Sequence, residues 1–137
     1  MTRKVLWRGQ TDYDDADDDD WVYGSLVEYY GDYSIRQPKY NYDIAVKSST
    51  IGQLTGEKDG GGNSIFENDV LCLEEDFKPL YTVVWRRAKG AWMVINKKAG
   101  GRPFYLCDFL RINSSAVNIV GNTSEPKYID LISEDEK

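Results

Sequence analysis

The sequence predicts an all-β protein: a strand-rich segment over residues 1–64, a small barrel over 65–122, and a short helix with a charged tail over 123–137. Three observations carry that expectation. Apolar residues alternate at period two in several short stretches. Gly, Asn and Ser clusters interrupt those stretches at close spacing. Aromatic residues make up 13% of the 137 residues, 10 of them tyrosine, and such side chains suit a pleated, half-buried surface.

Residues 5–8 read as a first short strand. Residues 12–20 form an acidic loop, because Asp14, Asp15, Asp17, Asp18, Asp19 and Asp20 repel one another and stay solvated. A strand over 21–30 places Trp21, Tyr23, Val27 and Tyr29 on one face and Val22 and Leu26 on the other. Gly31-Asp32 signals a turn, and residues 33–36 begin another extended piece that Pro38 interrupts. Alternation resumes over 40–46. Residues 49–63 carry five glycines, at 52, 56, 60, 61 and 62, and are expected to be a crossover and a hairpin turn. Residues 64–73 lead into a strand, and 74–76 form an acidic connection.

The later part has the clearest pattern. Strands are expected at 80–86, 91–96, 104–112 and 116–121, with a hairpin turn at 87–90 and a longer loop at 97–103. With the strand entered after residue 66, that makes five closely spaced strands, the pattern of a small barrel. Ser124, Glu125 and Pro126 suit the start of a helix over 124–132, with Ser124 as its N-cap and Tyr128, Leu131 and Ile132 on one face.

Composition narrows the chemistry. The chain has no histidine, which removes Ser-His-Asp and Cys-His catalysis and the His-Glu-x-x-His zinc site. Its net charge is -6, and the acidity belongs to the front. Residues 1–37 hold four Lys/Arg against nine Asp/Glu, whereas residues 71–137 hold ten against nine. A uniformly basic nucleic-acid binder is thereby disfavoured, though a local basic patch is not. Cys72 and Cys107 lack zinc-site spacing and are expected to be reduced and buried. No long apolar stretch follows the basic start, so a cytoplasmic, non-membrane protein is expected.

Each suggestive motif has a plainer reading. Counting an EF-hand from Asp15 puts Asp20 at the sixth position and Leu26 at the twelfth, where glycine and glutamate are required. No metal or other cofactor is therefore expected. Residues 58–64 are glycine-rich but run into strand-like Ile65-Phe66 rather than the Gly-Lys-Ser/Thr and helix of a P-loop. Glu67 and Asp69 are too ordinary a turn pair to count as a catalytic dyad, so no catalytic residue is assigned.

The strongest binding candidate is a basic, aromatic surface on and beside the 80–96 hairpin: Arg86, Arg87, Lys89, Lys97, Lys98 and Arg102, with Trp85 and Trp92. Cations there neutralise phosphates, and an exposed indole stacks on a base. The competing reading is a charged hairpin with both indoles buried.

Three segments together resemble the YopX family of small bacteriophage and prophage proteins. The first is Arg8-Gly9 followed by Trp21-Val22-Tyr23-Gly24-Ser25-Leu26. The second, and the most specific, is Thr50-Ile51-Gly52-Gln53-Leu54-Thr55-Gly56, then Lys58-Asp59 and Ile65-Phe66-Glu67-Asn68-Asp69-Val70. The third is Val120-Gly121-Asn122 before a Pro-containing tail. The resemblance implies an all-β protein whose C-terminal part is an SH3-like barrel, and an origin in a phage or prophage. It brings no catalytic residue with it. Where the family usually has Glu-Gly-Asp, this chain has Glu67-Asn68-Asp69, and Asn tolerates the left-handed region that such a turn needs. Trp21, Gly24, Gly52, Gln53, Thr55, Gly56, Asp69 and Gly121 are expected to be structural, with Gln53 and Asp69 bonding backbone groups.

The expected role is a non-enzymatic protein-binding or assembly module. Its partners would be copies of itself or a host or phage protein, since strand edges and tyrosines favour association. The alternatives are a nucleic-acid-binding barrel using the basic hairpin and an acidic mimic that inhibits a host enzyme.

Overall fold

The computed structural model describes residues 6–12, 20–39, 42–73, 76–96 and 102–131. The chain divides into two compact units between Leu54 and Thr55, ten residues before the expected boundary at 64/65. The described elements are mainly strands, and both units are built from antiparallel sheet.

In the first unit, β1 (Trp7–Gln10), β2 (Trp21–Tyr29), β3 (Asp32–Arg36) and β4 (Asp43–Ala45) lie in the order β4-β3-β2-β1, followed by the first residues of β5 (Gly52–Lys58). Alternation decides which face is inside. Val22, Ile35, Ile44 and Val46 are buried together, with Trp7, Leu26, Tyr33 and Ile51 packed around them. The opposite face of β2 leaves Tyr23 and Tyr29 exposed. Gly24 is required here because a Cβ would run into the carbonyl oxygen of Arg36. The β2–β3 turn falls on Tyr30 and Gly31, both at positive φ (49° and 84°), one residue before the expected Gly31-Asp32. Two positive-φ centres belong to the I′ turn that matches the twist of paired strands.

Residues 48–58 are not the expected crossover loop. A single 3-10 turn, Ser48–Thr50, is followed directly by β5, so Gly52, Gln53, Thr55 and Gly56 all lie in a strand. The glycines serve that strand: Gly52 is buried and Gly56 sits at φ 89°.

The second unit contains the rest of β5, β6 (Ser64–Phe66), β7 (Asp69–Leu73), β8 (Asp76–Arg86), β9 (Ala91–Ile95), β10 (Pro103–Tyr105), helix α1 (Leu106–Asn113) and β11 (Val117–Asn122). β5 and β6 form the expected glycine-rich hairpin. The five strands after residue 66 make one sheet in the order β10-β9-β8-β7-β11. That order is open, with β10 and β11 at its edges, and no barrel closes among the described residues. Ile65, Leu71, Val83, Val94, Leu106, Phe109 and Val117 form the core.

The expected strand over 104–112 is a correction. Only residues 103–105 are extended, and the chain then turns into α1. The run Phe104-Tyr-Leu-Cys-Asp-Phe-Leu-Arg-Ile is apolar in both periods, but Leu106, Phe109 and Leu110 are spaced for one helical face. Asp108 in the first turn and Arg111 in the last suit the helix dipole. Cys107 is accordingly exposed, while Cys72 in β7 is buried and burial pushes its thiol pKa up.

The C-terminal turn runs Pro126–Leu131 as a 3-10 helix. The turn before it is closed by Asn122, and Ser124 donates its backbone amide there. The Asn122 Oδ1 accepts the Ser124 amide at 2.9 Å, and Glu125 Oε1 accepts the Asn122 amide at 3.0 Å, two side-chain bonds that satisfy backbone amides of the turn. Tyr128 is buried and donates its hydroxyl to the Val120 carbonyl at 3.3 Å.

Candidate functional site

Of the Glu67 and Asp69 pair, Asp69 is occupied by backbone. Asp69 is 1% exposed, and its Oδ2 accepts the Phe66 amide at 2.8 Å. Asn68 stands at φ 74° between them, so the turn from β6 to β7 closes through an Asn in the left-handed region and an Asp bonded back across it. Thr55 Oγ1 donates to the Ile65 carbonyl at 2.7 Å and accepts the Glu57 amide at 3.1 Å, tying β5 to β6. Gly121 admits the Tyr128 ring, which would lie 2.5 Å from a Cβ there. Trp21 packs under the Arg8 guanidinium, 4.6 Å from its ring centroid.

Asp59 is the structural residue that the sequence reading passed over. Its carboxylate accepts the amides of Gly61 (2.9 Å), Asn63 (2.8 Å) and Ile119 (3.3 Å), as well as the Asn63 side-chain amide (3.2 Å). One side chain thus shapes the β5–β6 turn and holds it to β11. Gly60 beside it donates its amide to the Val117 carbonyl at 2.7 Å, and a Cβ on Gly60 would strike the Ser115 carbonyl.

The basic surface is split by the strand register. Arg86 pairs with Ala91 at the turn end of the β8–β9 hairpin, whereas Pro103 pairs with Ile95 at the other end. Arg86, Arg87 and Lys89 therefore cluster at the turn, and Arg102 stands apart at the start of β10. Lys97 and Lys98 lie outside the described residues. Of the two indoles, Trp85 is 44% exposed, while Trp92 is half-buried against the core. The rings meet edge to face, 5.1 Å apart. Of the acidic loop, only Asp12 and Asp20 are described. Among the described residues no cluster of three His, Cys, Asp or Glu is arranged to hold a metal ion, and no helix is long and apolar enough to cross a membrane.

A groove of about 500 Å3 lies where β10 passes into α1, in a region read as plain strand from the sequence. Leu73, Tyr81 and Phe109 belong to its lining, and the Tyr81 and Phe109 ring centroids are 4.7 Å apart. Phe104, Tyr105 and Ile112 also line it and are strongly exposed, Ile112 at 71%. Arg102, Asp108 and Arg111 add charge at its margin. The Asp108–Arg111 pair, at 3.6 Å on the helix surface, contributes little to stability. The sequence signal for this site was the helical spacing of Leu106, Phe109 and Leu110, which leaves Ile112 unburied one turn later.

The order of the turn residues and the chain's overall pattern have a counterpart. Residues 10–127 match the family described as YopX protein. The chain belongs to the YopX family. No curated protein matches it. In this YopX protein the matched span takes in the Asp59, Asn68 and Asp69 turns and the groove, and it ends one residue before Tyr128.

Proposed function

We propose that this YopX protein is a non-enzymatic, protein-binding or assembly module of a phage or prophage, acting in the bacterial cytoplasm. The observation that carries the reading is the groove beside β10. It joins exposed Phe104, Tyr105 and Ile112 to the open edge of a sheet. Aromatic residues and arginine are enriched at protein interfaces, and an unpaired strand edge is a template for an added strand. The occupant is an extended protein segment carrying carboxylates, which Arg102 and Arg111 pair at the margin. Its source is a host protein, a phage protein or a second copy of this chain.

The SH3-like character of the second unit is part of the same reading. A four-stranded meander, β7 to β10, is followed by α1, and the fifth strand returns beside the first. A carboxylate reserved for backbone amides, as at Asp59 and Asp69, shapes turns and leaves the groove free for recognition.

Cys107 gives a direct test, because it is exposed on α1 next to Asp108 of the groove. A photo-crosslinker on that thiol is expected to form a discrete protein adduct in the host cell extract, or a homodimer. The adduct should be lost with Ile112→Asp. A yield unaffected by Ile112→Asp, or no adduct at all, overturns the reading.

A further inference from the structure

The β2–β3 hairpin ends in a tip that its own fold does not require. Glu28, Tyr29, Tyr30, Gly31 and Asp32 are five consecutive exposed residues. Tyr29 is 71% exposed and Tyr30 90%. An exposed tyrosine is ordinary in itself, but the backbone beneath this one is not. Tyr30 stands at φ 49°, a conformation that costs such a side chain about 1 kcal/mol. At the β6–β7 turn the same demand is met by Asn68 at φ 74°, a residue that adopts it readily. Strain kept at an exposed tip marks a place where something other than stability is selected.

The tip is also shaped in advance. The Tyr29 and Tyr30 rings rest edge to face with centroids 4.5 Å apart, so they lose little freedom on docking. β2 ends at Tyr29 and β3 begins at Asp32, and these two residues pair across the turn. Glu28 and Asp32 thus place one carboxylate on each strand beside the aromatic pair.

The groove beside β10 has the complementary character. Its volume is about 500 Å3, within the range that encloses groups the size of two phenol rings. Phe104, Tyr105, Phe109 and Ile112 line it, with Arg102 and Arg111 at its margin. Arg111 makes an exposed 3.6 Å pair with Asp108 and keeps further N–H donors for a second carboxylate.

We infer that the groove receives the β2–β3 tip of a second copy of this chain, with Tyr29 and Tyr30 against the apolar lining and Glu28 and Asp32 paired with Arg102 and Arg111. This rests on the groove's role as a protein-binding site and names its occupant. Tip and groove are different patches, so each copy offers one of each. The contact is head-to-tail, and it closes as a ring or grows as a filament. The two tyrosines bury roughly 350 Å2 between them, which puts the contact at the small, reversible end of protein interfaces.

Light scattering on the intact protein across a concentration series is the test. The expected result is an average mass that climbs above that of a single chain. Tyr29→Thr/Tyr30→Asn removes the rings and leaves a residue suited to the left-handed position. Ile112→Asp spoils the groove at an exposed helix position. Each variant alone should stay monomeric. Mixed in equal amounts they should give dimers and nothing larger, because one intact tip meets one intact groove. A parent protein that is monomeric at every concentration, a mixture that stays monomeric, or self-association that survives Tyr29→Thr/Tyr30→Asn overturns the inference. The Cys107 adduct separates this from the groove's own role. A host-protein adduct lost with Ile112→Asp but kept with Tyr29→Thr/Tyr30→Asn upholds the groove and overturns its occupancy by the tip.

Discussion

The carboxylate of Asp59 accepts the backbone amide of Ile119 at 3.3 Å, across 60 positions of sequence. The same side chain accepts the amides of Gly61 and Asn63 in its own turn. Asp59→Ala removes the acceptor of three part-buried amide bonds, one of which joins the turn to β11. The expected loss of stability is about 1–3 kcal/mol, read from the midpoint of urea unfolding at pH 7. A midpoint equal to that of the parent protein would contradict this role for Asp59.

The same residue sets a pH dependence. Burial pushes the Asp59 carboxyl up, but the Asn63, Ile119 and Gly61 hydrogen bonds outweigh it and hold the pKa below its ordinary value of 3.8. The unfolded chain therefore takes up the proton first as pH falls. The stabilisation is full well above pH 3.8 and is lost as pH drops through the folded-state value. The stability gap between the parent and Asp59→Asn should narrow between pH 5 and pH 3, and a gap independent of pH would contradict the assignment.

Asn68 at φ 74° holds the bend between β6 and β7. A β-branched side chain is strained in that region. Asn68→Val is expected to cost about 1–2 kcal/mol, while Asn68→Gly loses little. Thermal unfolding of the two variants beside the parent measures the difference, and equal midpoints for all three would rule out backbone conformation as the reason for Asn68.

Tyr30, at φ 49° and 90% exposed, tips the β2–β3 hairpin. Its ring packs edge to face on Tyr29 at 4.5 Å, but a tyrosine pays for the left-handed conformation that asparagine adopts readily. Tyr30→Asn is expected to stabilise the protein by about 1 kcal/mol. A lower unfolding midpoint would show that the Tyr29 contact outweighs the backbone term.

Period-two alternation was a dependable guide where one sheet face is buried. In β2 it separated Val22 and Leu26 from Trp21, Tyr23, Val27 and Tyr29, and Val22 and Leu26 are the pair that packs into the core. Turn chemistry was legible too: Asn68 adopts the left-handed conformation and Asp69 bonds back to the chain. Residues 104–112 misled because a run apolar in both periods gives no period to read. There the helix is decided by Leu106 and Phe109 reaching the core. Residues 52–56 misled for the opposite reason, since glycine in a strand looks like a loop until the close approach it permits is seen. The Asp59–Ile119 bond was beyond reach because no local pattern links positions so far apart. The groove was invisible for the same reason: Leu73 and Tyr81 come to lie beside α1 only through the order of the sheet. Composition located the basic hairpin but not its division, which follows from register alone.

Hydrogen–deuterium exchange on the complex with the crosslinked partner tests the central claim most directly. Binding by the groove predicts slowed exchange in the peptides covering 102–113, around β10 and α1. Protection confined to residues outside 102–113, or none at all, would contradict it.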